Sequence, residues 1–180
     1  MPDTATLHSQ SQPISVEYFD VLIVGAGISG IGAAYHLTTQ CPDKRFVVLE
    51  NEETFGGTWW THKYPGIRSD SDLHTFGYRF KPWKSAKAIA DGPSIRSYIR
   101  ETATEHGINQ HIRFGHKVTN AAWDSETARW TVTTNNSTLT CRFLYMCSGY
   151  YNYGQGHRPT WEGEAEFKGQ IIHPQFWPES

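Results

Sequence analysis

The sequence predicts an α/β fold: a parallel sheet with helices packed on it, plus a small antiparallel β-meander. Three observations lead there. An apolar run at residues 18–24 enters a glycine-rich turn, Gly25-Ala26-Gly27-Ile28-Ser29-Gly30, and then a segment with apolar residues at helical spacing. A second apolar run at 46–50 follows, and strand, helix, strand in that order calls for a right-handed crossover and a parallel pair. Later, three β-forming stretches at 118–123, 129–134 and 137–142 are separated by turn sequences at 124–127 and Asn135-Asn136, which is a meander pattern.

Residues 1–16 are polar and read as a disordered tail. They have neither a basic n-region nor an apolar h-region, so they are not a secretory signal. Val21, Leu22, Ile23 and Val24 form an unbroken apolar run, the mark of a strand buried on both faces. Ile28, Ile31, Ala34, Tyr35 and Leu37 give a helix to about Thr39, ended by Cys41-Pro42-Asp43. Residues 46–50 are the second buried strand. Residues 51–90 are rich in glycine, proline and aromatics, and so long a loop in a compact domain is usually functional. Asp91-Gly92-Pro93 opens the next helix, with proline where its missing N–H costs nothing. Its apolar face is Ile95, Tyr98, Ile99 and Ala103, and Gly107 ends it. Beyond the meander, 143–147 is a further apolar strand, broken by Ser148-Gly149 and rejoining the parallel sheet.

A chain of 180 residues is long enough for one domain with a core. A net charge of −2 gives no support for nucleic acid or an anionic membrane as partner. Three cysteines without zinc-type spacing read as reduced thiols of a cytoplasmic protein. No apolar run reaches the roughly 18 residues of a transmembrane helix. The seven Trp, nine Tyr and nine Phe are a heavy aromatic load, suited to flat ligands but explained as well by a core and a buried interface. No Ser–His–Asp order, P-loop or metal-ligand spacing is visible.

The glycine turn is G-x-G-x-x-G, and it stands between a strand and a helix as a Rossmann-like dinucleotide site requires. Gly25 allows the tight turn, Gly27 lets the backbone approach a pyrophosphate, and Gly30 lets helix and strand pack closely. The helix N-terminus then offers free N–H groups to phosphate. Glu50, 20 residues past Gly30, is placed to accept hydrogen bonds from ribose hydroxyls. It would repel a 2′-phosphate, so the site favours FAD or NAD over NADP. The turn does not separate those two. Gly56 and Gly57, shortly after the ribose acid, are a pair common in flavoproteins.

Two longer patterns carry a resemblance. Gly56-Gly57-Thr58-Trp59, Tyr64-Pro65-Gly66 and Asp70 form G-G-x-W-x-x-x-x-Y-P-G-x-x-x-D. Phe167, Gly169, His173, Trp177 and Pro178 form F-x-G-x-x-x-H-x-x-x-W-P. Both resemble signatures of class B flavin monooxygenases of Baeyer–Villiger type, which insert one oxygen atom of O₂ beside a ketone carbonyl. The runs YPGIRSDSDLHTFGYRF, CSGYYNY and IIHPQFWP resemble a narrower, mycobacterial group of FAD-containing monooxygenases that activate the thioamide prodrug ethionamide. The likeness spans residues 19–179.

The resemblance implies FAD and NADPH as cofactors. It implies O₂ and a small-molecule ketone, thioether or thioamide as substrates. Carried over position by position, FAD would contact Ser29, Glu50, Thr58, Trp59, Asp70 and Val118, with Gly57 near its diphosphate. NADPH would reach the flavin near Arg68, Ser69 and Asp70. Arg68 would donate to NADP phosphate or ribose, unless it is a solvated loop arginine. Asp70 would orient an active-site arginine, unless it caps a helix. His173 would serve as an acid or base, or, as the favoured reading, structurally on an interdomain linker with Trp177. The resemblance also divides the chain into an FAD-binding domain at 17–160 and the start of a linker at 161–180. Relative to the two-dinucleotide-binding-domain flavoprotein fold, the sequence is then truncated: it carries no second glycine fingerprint and no active-site arginine. Inactivity alone, and a C-terminal half polypeptide as partner, are the resulting expectations. The alternatives are a non-catalytic FAD-binding remnant or partner module, and a flavin reductase or N-hydroxylase, which would leave Trp177 unexplained.

Overall fold

The computed structural model describes residues 16–178. The tail expected at 1–16 lies outside the described residues except for Val16, which is exposed. The chain runs β1 (Glu17–Val24), α1 (Ile28–Gln40), β2 (Phe46–Leu49), two single-turn helices α2 (Thr58–Thr61) and α3 (Leu73–Phe76), and α4 (Gly92–Glu105). It continues through β3 (Ile112–Arg113), β4 (Val118–Asp124), β5 (Arg129–Thr134) and β6 (Thr138–Met146). The strands form one six-stranded sheet in the order β3-β2-β1-β6-β5-β4. β3, β2, β1 and β6 are parallel, and β5 and β4 continue antiparallel from β6.

Alternation along the central strands builds two cores. Ile23 of β1 and Phe46 and Val48 of β2 pack with Ile31 and Ala34 of α1 and Ile95 and Ile99 of α4. Their neighbours Leu22, Val47 and Leu49 join Phe19, Val132, Leu139 and Cys141 in a second cluster. Successive side chains of a strand point to opposite faces, so these uninterrupted apolar runs mark strands buried on both. Helix α4 starts as its sequence predicts: the Asp91 carboxylate accepts from the Ser94 N–H at 2.9 Å. The Ser94 side chain, Lys87 and this amide together hold the Asp91 carboxyl well below the usual carboxylate range. Gly107, at φ +65°, takes the left-handed conformation just past the helix end.

The strands expected separately at 137–142 and 143–147 are one. No turn residue stands between Arg142 and Phe143, and a strand has two hydrogen-bonding edges. β6 therefore pairs with β1 along nearly its whole length and with β5 only from Thr138 to Cys141. Beyond Cys141 its outer edge has no partner strand among the described residues, and Phe143, Tyr145 and Met146 are exposed there. β3, only two residues long, carries no periodicity and was not predicted. The long segment 51–90 is loop with the two single helical turns. All three cysteines are free, and burial pushes the Cys141 thiol up to about 11. Among the described residues no helix is long and apolar enough to cross a membrane.

Leu22 is fully buried in the central strand. Leu22→Ala should therefore cost about 2–5 kcal/mol, from lost transfer energy and a residual cavity. Asp91→Ala should cost about 1 kcal/mol, the worth of an N-cap. Urea denaturation measures both, and a smaller loss for Leu22→Ala than for Asp91→Ala would contradict this account of the core.

Candidate dinucleotide site

The glycines of the first turn are needed for different reasons. Gly25 lies at φ +105°, and a Cβ there would stand 2.5 Å from the carbonyl oxygen of Cys147. A Cβ on Gly30 would come within 1.8 Å of the Gly25 carbonyl oxygen, so its absence lets α1 start against the turn. Gly27 differs: a Cβ would meet only Gly57, at an ordinary 3.6 Å. The packing around residue 27 does not require glycine there. Gly57, at φ +52°, faces it from the second glycine turn. The Gly56 N–H joins the turns by donating to the Ala26 carbonyl at 3.4 Å. No side chain caps α1, and its first turn holds no acidic residue. Its leading N–H groups and positive dipole end are thus open to an anion.

Glu50 sits one residue past β2 and is 7% exposed. One carboxylate oxygen accepts the Ala26 N–H at 2.6 Å, and the other accepts the Glu52 N–H at 2.9 Å. Burial raises its carboxyl above the ordinary value, against these two amides. Each oxygen keeps a further lone pair, so the carboxylate can hold the turn and still accept a hydroxyl. Sequence reasoning placed this residue but missed its bond to the turn.

The second glycine turn leads into α2, where Thr58 and Trp59 are half-buried. Trp59 packs on the first core and meets Phe76 edge-to-face at 6.3 Å. The chain then returns beside α4: Ser69 N–H donates to Ala90 O at 2.9 Å, and Gly92 N–H to Ile67 O at 3.1 Å. Ser69 is buried, while Arg68 and Asp70 on either side are exposed. Asp70 caps no helix. That task falls to Asp72, whose carboxylate accepts from the Thr75 N–H at 2.9 Å. Among the described residues Asp70 accepts only a long contact of 3.5 Å from the Ser71 hydroxyl. Val118 opens β4, half-buried against the second core. It lies two residues beyond His116, whose N–H donates to the Glu50 carbonyl at 2.8 Å.

Tyr153 was not singled out from the sequence. Burial pushes its phenol up, with the Thr58 side chain opposing and the Glu50 charge reinforcing the shift. Its hydroxyl stands 3.2 Å from where a Cβ on Gly149 would lie, just past the end of β6. Its only sequence signal was its place in the aromatic run after β6. His173 is half-buried and its polar contact is local: Nδ1 accepts from the Gln175 N–H at 3.2 Å, capping the turn Pro174–Phe176. Its ring occupies the space over Gly156, where a Cβ would stand 2.4 Å away. The Phe167 ring covers Gly169 in the same way, at 2.4 Å. Buried Gln175 ties the segment back by donating to Asn152 O at 2.9 Å. Trp161, Phe167, Phe176 and Trp177 remain exposed. Among the described residues no group of three or more His, Cys, Asp or Glu could hold a metal.

Residues 23–91 match the family described as an NAD(P)-binding Rossmann-like domain. Over 167 residues the chain is 58% identical to the FAD-containing monooxygenase EthA of Mycolicibacterium smegmatis, covering 91% of this chain and 34% of that protein. It is 54% identical to the EthA of Mycobacterium tuberculosis over the same length and shares. A solved structure of oxidized steroid monooxygenase bound to NADP is 32% identical at a TM-score of 0.76, covering 90% of this chain and 32% of that one. Cyclohexanone monooxygenase from Rhodococcus sp. Phi1 bound to NADP⁺ is 26% identical at a TM-score of 0.75, covering 92% and 32%. The chain thus spans about a third of the length of the curated relatives it matches.

Burial raises the native pKa of Glu50 above 4.5, so the folded state binds more protons than the unfolded one between that value and the raised one. Its contribution to stability is therefore full below that window and is lost as pH rises through it. In urea denaturation from about pH 4 to about pH 7, the stability of the wild type relative to Glu50→Gln should fall steadily. A difference that stays flat or grows with pH would show that burial does not dominate at Glu50.

Proposed function

We propose that this chain, homologous to the N-terminal third of FAD-containing monooxygenases, is the FAD-binding part of an NADPH-dependent monooxygenase of Baeyer–Villiger type. The observation that carries the reading is the pair of facing glycine turns beside the uncapped start of α1. There Gly27 has no packing reason to lack a side chain. The leading amides of α1, at Ser29 and Gly30, and the backbone at Gly57 and Thr58 would hold the diphosphate. Glu50 would accept from ribose hydroxyls while keeping the turn in place. Thr58, Trp59 and Val118 would line the bound group. When bound and reduced by NADPH, FAD supplies the oxygen-activating chemistry, and the protein's part is to hold it and exclude water.

Exposed Arg68 and Asp70 flank buried Ser69 and would meet the nicotinamide cofactor there. Asp70 would orient an arginine contributed by a C-terminal region. His173, bonded within its own turn, would act structurally with Trp177 at the start of an interdomain linker, residues 161–180, after an FAD-binding domain at 17–160. The substrates would be O₂ and a small ketone, thioether or thioamide, in the cytoplasm. A C-terminal half polypeptide would supply the remaining site.

The purified chain should bind FAD, read by flavin absorbance and fluorescence. Gly27→Ala should fold as the wild type does, since its Cβ meets only Gly57 at 3.6 Å. It should nevertheless lose FAD affinity by at least about tenfold, because that Cβ occupies the place of the diphosphate. Glu50→Ala should weaken FAD by about 1–3 kcal/mol through unpaired hydroxyls. Full flavin content in Gly27→Ala would sink the assignment. The chain alone should give little NADPH-dependent ester or sulfoxide. Product should appear when the C-terminal two thirds of the M. smegmatis relative is supplied, and robust turnover without it would overturn the division of labour.

A further inference from the structure

One side chain joins the start of α1 to the segment that follows Asp70. The Tyr78 hydroxyl donates to the carbonyl of Ile28, the first residue of α1, at 2.5 Å. An α-helix already gives that carbonyl a partner four residues on, so the phenol takes its second lone pair. The ring lies against Gly32, where a Cβ would stand 3.0 Å from Cε1. This is a fourth glycine, outside G-x-G-x-x-G, and the approach of Tyr78 explains it. The Tyr78 N–H donates to the Tyr98 hydroxyl at 2.7 Å, and Tyr98 in turn donates to Lys81 O at 2.5 Å. Tyr98 belongs to α4, whose first residue, Gly92, donates to Ile67 O. A continuous frame thus runs from α1 through Tyr78 and α4 to the strand-like stretch holding Arg68, Ser69 and Asp70. Desolvation pushes the Tyr78 phenol far above its ordinary value, so it remains a neutral donor at physiological pH.

We propose that Tyr78 is a positioning residue. Its hydroxyl fixes the first turn of α1 relative to the Arg68–Asp70 stretch, so that a diphosphate on the one and a cofactor reaching the other meet in a set geometry. The inference rests on the dinucleotide reading above. Tyr78→Phe keeps the ring and removes the tether. In ligand-free hydrogen exchange, the amides of Ile31 and Gly32 in α1, and of Ser69 across the frame, should exchange about fivefold to tenfold faster, the scale of one lost hydrogen bond. FAD affinity, by fluorescence titration, should fall by a similar factor. Leu139→Ala, buried in the second core, supplies a loss of stability without touching the tether. It should leave both readouts at the wild-type level. Gly32→Ala, which presses a methyl on the ring while favouring the helix, should reproduce Tyr78→Phe, and it decides the matter if that variant does not fold. The proposal is overturned if Tyr78→Phe leaves exchange and affinity unchanged, if Leu139→Ala matches it, or if exchange quickens in α1 while Ser69 stays protected. Failure of the wild type to bind FAD would count against the dinucleotide reading alone, because exchange is measured without ligand.

Discussion

The candidate site depends on a buried charge. The Glu50 carboxylate, at the end of β2, grips the Ala26 amide in the middle of the first glycine turn. An ionised carboxylate away from water is costly, and the two backbone amides that bond its oxygens offset that cost only in part. The bond spans two adjacent parallel strands, so the turn cannot shift without moving the sheet. The second glycine turn is then hung from the first, through the Gly56 amide on the Ala26 carbonyl. The facing of Gly27 and Gly57, and with it the space for a ligand, follows from one carboxylate placed one residue past a strand. The cost is a fold that works against the ionised form of that same group.

The sheet has an economy of its own. β6 is the return strand of the meander and the fourth member of the parallel set at once. β1 is therefore interior, flanked by β2 and β6, while β2 has the short β3 on its other side only at Val48 and Leu49; both strands are covered on both faces. That rigidity reaches the site directly, because the end of β6 also forms one wall of the first turn, where the Cys147 carbonyl leaves Gly25 no room for a side chain.

Local signals in the sequence were good guides where one residue type has one physical use. Unbroken apolar runs located β1 and β2. Asp91 before Gly92-Pro93 located the start of α4, and Gly107 its end. The reading was weakest where tertiary pairing decides. Nothing local shows that residues 137–147 form one strand using both edges, or that Ile112-Arg113 adds to β2. A cap was one reading of Asp70, but the structure gives the cap of α3 to Asp72 and leaves Asp70 exposed. Around the candidate site, Gly25 and Gly30 were legible because close backbone approach restricts residue type so severely. Tyr153 and Tyr78 were not, because a tyrosine in an aromatic-rich chain gives no sign of what its hydroxyl will meet.

The pairing of β1 with β6 also governs how the chain must fold. Glu17 lies opposite Leu139 and Val24 opposite Met146, so the centre of the sheet joins the first described strand to the last. Such a contact has a large loop-closure entropy and a high contact order, both of which slow folding. During synthesis β1, α1 and β2 emerge early, yet one flank of β1 stays open until residue 146 has left the ribosome. Its apolar faces and free edge are then the part of the nascent chain most in need of protection from premature association.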